Sequence, residues 1–179
     1  MYKFIERNRK MGYLHIYCGD GKGKTTAALG LAVRAAGAGM KVNFVQFMKG
    51  GETAELEILK LVPNINVSRC DRGYSFVWDM SESEKTDITA CHDRLLESAF
   101  KSGADMIILD EFTYAYSLGL TDKKSAEALI FNALEDKEVV ITGRDPDEIF
   151  TARADYLSEI KCVKHPYENG AEARRGIEY

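Results

Sequence analysis

The chain is short of the features that would announce most functional classes. It holds only three prolines and four cysteines among its 179 residues. Cys18, Cys70, Cys91 and Cys162 form no Cys-x-x-Cys pair, and only His92 adjoins one of them. That spacing is poor for a zinc site and too sparse for a disulfide framework. Reduced, mostly buried thiols are expected instead. The histidines His15, His92 and His165 are scattered, and structural roles are expected for all three. Basic charge is not in excess: the net charge is −4, which argues against a general nucleic-acid binder. No apolar run approaches the roughly 20 residues that cross a bilayer. The opening "MYKFIERNRKMGY" is charged and lacks the apolar stretch of a secretory signal. No membrane partner is expected, and the cytoplasm is the default setting. Repeats, low-complexity tracts and linker-like composition are missing too, so one domain with a real core is expected.

What the chain does have is alternation. Strand-like runs cover Tyr13–Cys18, Lys41–Phe47, Asn64–Arg69, Asp105–Leu109, Glu138–Thr142 and Tyr156–Val163. Runs such as "MIIL" and "VVIT" are continuously apolar, as strands covered on both faces are. Helical patterns lie between them. One runs from Lys24 to about Ala36 and meets the breakers Gly37 and Gly39. A second starts at Ser81, where Ser81 and Glu84 have capping-box spacing, and aligns Ile88, Cys91, Leu95 and Ala99. A third spans about Asp122 to Glu135, with Ala126, Leu129, Ile130, Ala133 and Leu134 on its apolar side. The pattern predicts an α/β fold: a mostly parallel sheet with helices on both faces. Ligands of such sheets sit at the carboxyl ends of the strands.

The first strand ends in "CGDGKGKTTAALG" and opens a helix, the context that a phosphate-binding loop requires. Gly19, Gly21 and Gly23 allow turns that aim successive N–H groups at an anion. The helix N-terminus adds partial positive charge, Lys24 a full one, and Lys22 a second cation. The Thr25 hydroxyl is suited to Mg²⁺. The loop is one residue short of the usual pattern: Cys18 stands where a glycine is expected, and only three residues separate Gly19 from Gly23-Lys24-Thr25.

Two other strand ends add to this site. "MIILDEFTYAY" finishes in Asp110-Glu111, where carboxylates could hold Mg²⁺ directly or through water. "VVITGRD" places Arg144 near the same edge, for a phosphate contact or a salt bridge.

Together "GDGKGKTTAALGLAVRAAGAGMKVNFVQFMKG", "ILDEFTYA", "VVITGRDP" and "VKHPYENGAEARRGIEY" resemble the phosphate-loop class of ATP:corrinoid adenosyltransferases over roughly residues 12–179. The resemblance implies a single-domain, RecA-like phosphate-loop fold. The short N-terminal segment 1–11 would be set apart from it and placed to cover an active site. It implies that Co(I) of a reduced corrinoid attacks the 5′ carbon of ATP and that the whole triphosphate leaves. The shortened loop then goes with ATP lying in the reverse of the usual direction. The backbone and side chains from Gly19 through Asp20, Gly21, Lys22, Gly23, Lys24 and Thr25 to Thr26 would wrap the triphosphate. Thr25 and Glu111 would serve Mg²⁺ with Asp110 close by, and Arg34 matches a family arginine near the nucleotide. Position alone would make Arg34 a surface charge. The family's aromatic-x-Trp pair, which packs beneath the corrin and displaces its lower axial ligand, matches Phe76 and Trp78, with Tyr74 as an alternative. Removal of that ligand eases reduction of Co(II), because axial ligation tunes metal potentials. An electron-donating reductase such as a flavoprotein and a homodimer are further implications.

Two other classes use the same loop. A small phosphotransferase would release ADP, and a nucleotide-dependent switch would need no corrinoid. The resemblance leaves the natural corrinoid open between an early intermediate and salvaged cobinamide or cobalamin.

Overall fold

The computed structural model describes residues 12–49, 51, 53–70 and 77–177. The expected segment 1–11, Tyr74 and Phe76 lie outside them. Six strands, β1 (Leu14–Cys18), β2 (Val42–Gln46), β3 (Ile65–Arg69), β4 (Met106–Asp110), β5 (Glu138–Thr142) and β6 (Tyr156–Glu159), form one sheet in the order β3-β2-β4-β5-β1-β6. Every pairing is parallel, so all six strands present their carboxyl ends along one edge. The strand that opens the glycine loop and the strand that ends in Asp110 are therefore separated by β5.

Six helices cover the sheet: α1 (Lys24–Gly37), α2 (Ala54–Leu59), α3 (Glu82–Lys101), α4 (Phe112–Ser117), α5 (Lys123–Ala133) and α6 (Glu148–Thr151). The period-2 alternation of the strands divides the core in two. On one face Phe44, Met106, Ile108 and Val140 meet Ala28, Ala32, Ala35 and Ala36 of α1 and Leu56 and Leu59 of α2. The small α1 side chains let that helix lie close to the sheet. On the other face Ile16, Val45, Ile107, Leu109 and Ile141 meet larger residues, among them Leu96 of α3, Phe112 of α4, Ile130 of α5 and Phe150 of α6. Strand β6 departs from this pattern. All four of its residues are exposed, and it ends at Glu159 rather than Val163 because it pairs only with β1 at the sheet margin.

Helix α3 begins as its sequence dictates. The Ser81 side chain accepts from the Glu84 N–H, and Glu84 returns a bond to the Ser81 N–H at 2.9 Å. Its buried face is a correction in part: Ile88 and Ala99 point inward as expected, His92 and Leu96 join them, and Leu95 packs against the core only partly buried. A 3.6-residue period admits either the i+3 or the i+4 neighbour. Here the polar member is accommodated because the His92 Nδ1–H donates to the Leu120 carbonyl at 2.8 Å while its ring edge packs on Phe47.

Cys91 faces the end of β3 and is bonded to Cys70, with 6.2 Å between the Cα atoms. This corrects the expectation of four reduced thiols. The two are 21 residues apart in sequence, and only the packing of α3 beside β3 brings them together. Cys18 and Cys162 are free thiols.

Burial pushes the His92 imidazole below its ordinary value, against the opposing pull of the Leu120 carbonyl and Asp93. The unfolded chain then binds more protons than the folded one between the two values. Stability is complete above about pH 6.5 and declines as acid approaches the depressed folded value. Thermal melts from about pH 8 to about pH 5 should show a shallower acid decline for His92→Gln than for the parent chain. Parallel declines would remove His92 as the cause.

Candidate active site

Cys18 remains in the sheet. It is paired with Glu159 of β6, and its carbonyl accepts the Ile160 N–H at 2.8 Å. The missing glycine is thus a strand residue, and the loop proper begins at Gly19. Burial, with Glu159 nearby, raises the Cys18 thiol above its ordinary value, so it stays protonated and is a poor nucleophile. Gly19 has φ 104° and lies so close to the chain after β6 that a Cβ there would sit 2.5 Å from the Ile160 carbonyl oxygen. The Gly21 N–H donates to that same oxygen at 2.8 Å. Asp20 turns away from the loop interior and accepts the Cys162 N–H at 3.0 Å, a bond that lowers its carboxyl below the usual range. The loop's curvature is therefore set from outside, by the segment that follows β6.

Lys24, the first residue of α1, is buried, and its Nζ donates to the Gly21 carbonyl at 2.9 Å across its own loop. Thr25 follows. Its hydroxyl donates to Asp110 Oδ1 at 2.9 Å, which leaves the oxygen lone pairs for another partner. Asp110 is fully buried and organises the site. Thr142 at the end of β5 also donates to Oδ1, at 2.8 Å, while Lys49 at 3.3 Å and Gln46 at 3.4 Å donate to Oδ2. Thr142 Oγ1 in turn accepts the Glu111 N–H at 3.0 Å. Glu111 has φ 58° at the N-cap of α4. Burial and then the Asp110 charge raise its carboxyl above the ordinary value, against Lys49, Lys24 and Arg144.

A cavity of about 580 Å³ opens over these groups, lined by the loop from Gly21 to Thr26, by Lys49, Glu55 and Glu111, and by Gly176 and Ile177. The C-terminal residues are there because Lys22 Nζ donates to the Ile177 carbonyl. The donors at the cavity floor are hydroxyl and carboxylate oxygens, the set that suits a hard divalent cation. Among the described residues no group of three or more His, Cys, Asp or Glu side chains could itself hold a metal. A cation here would share its shell with phosphate and water, which is how Mg²⁺ is ordinarily bound.

The structure brings Lys22, Lys24, Thr25, Thr26 and Glu111 to one cavity, with Asp110 beneath. Arg144 lies on the exposed loop after β5, near enough to act on both Glu111 and Asp20. Its carbonyl is held by Thr113 Oγ1 at 2.6 Å. That loop depends on Gly143, where φ is 142° and a Cβ would stand 2.0 Å from the same hydroxyl. Arg34 does not line this cavity, although its charge acts on Tyr17 at the end of β1, just before the loop. It is exposed in the last turn of α1, ten residues and about 15 Å of helix rise beyond Lys24. Trp78 sits in a short turn, Val77–Asp79, with 73% of its surface exposed. Met80, two residues on, packs with Ile88, Leu120 and Met48, which ties the turn to the chain leaving β2 beside Lys49.

Residues that sequence reading did not assign are Lys49, Gln46, Thr142 and the Gly176–Ile177 strap. "VQFMKG" carried the signal for two of them: a polar residue inside an apolar strand, followed by a lysine at its carboxyl end.

The chain matches the family described as ATP:corrinoid adenosyltransferase BtuR/CobO/CobP over residues 10–179. It is 34% identical over 178 residues to a corrinoid adenosyltransferase of Escherichia coli (strain K12), covering 94% of this chain and 86% of that protein. It is 31% identical over 187 residues to the corrinoid adenosyltransferase CobA of Salmonella typhimurium (strain LT2), covering 99% and 90%. Among solved structures it resembles the flagellar accessory protein FlaH from Methanocaldococcus jannaschii, with a TM-score of 0.55, 17% identity, and coverage of 87% of this chain and 74% of that one; this likeness concerns the fold alone. A phosphate cradle with an acidic strand end beside it, on a chain matched along nearly its whole length, leads to one assignment: the protein belongs to the ATP:corrinoid adenosyltransferase family.

Proposed function

We propose that this chain transfers the 5′-deoxyadenosyl group of ATP to the Co(I) of a corrinoid and releases the triphosphate intact. The cobalt supplies the electron pair of the new Co–C bond. The C5′–O bond breaks, and its electrons leave on the triphosphate. The protein's task is to receive that departing charge, and preorganised donors do this best. The observation that carries the reading is the buried Lys24 ammonium, held at 2.9 Å from Gly21 within its own loop, so it is in place before charge develops. The loop N–H groups, Lys22 and Arg144 add to the same field. The RecA-like arrangement and the reversed lie of ATP belong to this proposal, supported by the short loop that starts after Cys18.

Thr25 and Glu111 would hold Mg²⁺, with Asp110 acting through the Thr25 hydroxyl. The bound cation supplies charge neutralisation of the phosphates. Trp78, with Phe76, would pack on the lower face of the corrin. Its exposure, unusual for so large an apolar side chain, supports a role in contact with a ligand. An electron-donating reductase, a second copy of the chain and a cytoplasmic setting complete the proposal.

Incubation with ATP, Mg²⁺ and chemically reduced cobalamin should yield light-sensitive adenosylated product and triphosphate in equal amounts. ADP as the nucleotide product would point to a phosphotransferase instead. Trp78→Ala should lower the rate about tenfold or more when the corrinoid is supplied as Co(II) with a mild reductant, and only a few-fold when it is supplied as Co(I). Equal effects in the two assays would remove Trp78 from the lower face.

A further inference from the structure

A second and larger cavity, about 830 Å³, lies beside the phosphate site between α2, the end of β3 and the C-terminal segment. Its apolar floor is Leu56, Val67 and Leu95, and its polar wall includes Thr53, Arg69 and Arg175. The charges are unequal. Glu57 is matched by Lys60 at 2.8 Å. Arg69 gives an N–H to the Gly51 carbonyl at 2.8 Å, out of the five that a guanidinium carries. Arg175 is exposed at the groove mouth. Such a wall is built for an oxygen-rich, negatively charged group.

The two cavities are continuous in their construction. Ala54 of α2 lines both, and the C-terminal segment turns Arg175 to one while Gly176 and Ile177 line the other. A ligand seated over the phosphate cavity can extend an arm into the groove. We propose that this groove is an anion-recognising subsite for the rim of the corrinoid, with Arg69 and Arg175 binding a negatively charged peripheral arm.

The proposal rests on the adenosyltransferase reading and deepens it toward substrate choice. The corrin rim bears carboxylates in unfinished corrinoids, neutral amides once amidation is complete, and a phosphodiester in the nucleotide arm of the finished cofactor. Paired guanidinium forks match carboxylate or phosphodiester oxygens in two-pronged bonds. An arm of amides alone would offer these arginines no charge beyond that of Glu57, which already acts on Arg69. On a chain of net charge −4, two arginines at one groove make a local positive field that selects among such arms.

The test uses three corrinoids reduced chemically to Co(I): cobyrinic acid a,c-diamide, which carries free carboxylates; cobalamin, which carries the phosphodiester; and cobinamide, which carries neither. The readout is kcat/KM for adenosylated product, in the parent chain and in Arg69→Gln/Arg175→Gln. Expected is a fall of about tenfold or more in the ratio of a charged corrinoid to cobinamide. A fall confined to the diamide identifies carboxylates as the ligand, and one confined to cobalamin identifies the phosphodiester. Loss shared equally by all three, or no loss, overturns the subsite. A parent chain inactive with every corrinoid would instead overturn the adenosyltransferase reading. Should the double variant fold poorly, salt dependence of the parent chain decides the matter. Raising salt from about 20 to about 500 mM should depress kcat/KM for the charged corrinoid more steeply than for cobinamide, and parallel curves would overturn the proposal.

Discussion

Lys24→Ala lowers kcat/KM for adenosyl transfer by at least about 10²–10³-fold, the cost of losing one preorganised charge stabiliser, while leaving the fold intact. The chemical effect is large because the ammonium is buried and held on the Gly21 carbonyl, where its field is little screened. The structural effect is small because position 24 opens α1 and alanine is the best helix former. Single-turnover formation of the light-sensitive product, together with a thermal melt, separates the two. If the leaving triphosphate needs this charge, product formation collapses while the melting temperature moves by only a few degrees. A variant within tenfold of the parent rate would show that the loop N–H groups and Mg²⁺ suffice, and that Lys24 serves binding alone.

The second large effect is at Asp110. Asp110→Ala strips the acceptor from four donors: Thr25, Thr142, Gln46 and Lys49. Breaking a buried ion pair commonly costs about 3–5 kcal/mol. The Lys49 side chain is 30% exposed and can turn toward water, so about 2–3 kcal/mol is expected from urea unfolding. Activity should fall as well, because the Thr25 hydroxyl loses the partner that orients it. Lost activity at unchanged stability would place Asp110 directly on the cation rather than behind Thr25.

The parts of the fold that sequence disclosed are those fixed by neighbouring residues. Continuous apolar runs marked β4 and β5, and the Ser81–Glu84 box marked the start of α3, because both signals act within a few residues. The loop and Asp110-Glu111 were legible for the same reason, each being a short pattern at a strand's carboxyl end. What escaped notice depends on distant partners. The inward turn of His92 needed Leu120, the Cys70–Cys91 bond needed α3 beside β3, and the strap over the cavity needed Ile177 to meet Lys22, 155 positions earlier. Arg34 is a different case: its position alone reads as a surface charge, and only the family resemblance places it near the nucleotide.

The crowding of Gly19 and Gly21 against Ile160 bears on how this architecture can be re-engineered. Loop length and the exit of the final strand form one matched unit, so lengthening the turn to the commoner phosphotransferase gauge would drive it into that backbone. Exchange of such loops between relatives would have to bring the closing strand along, which makes this pair of segments, rather than the glycine turn alone, the natural module for grafting.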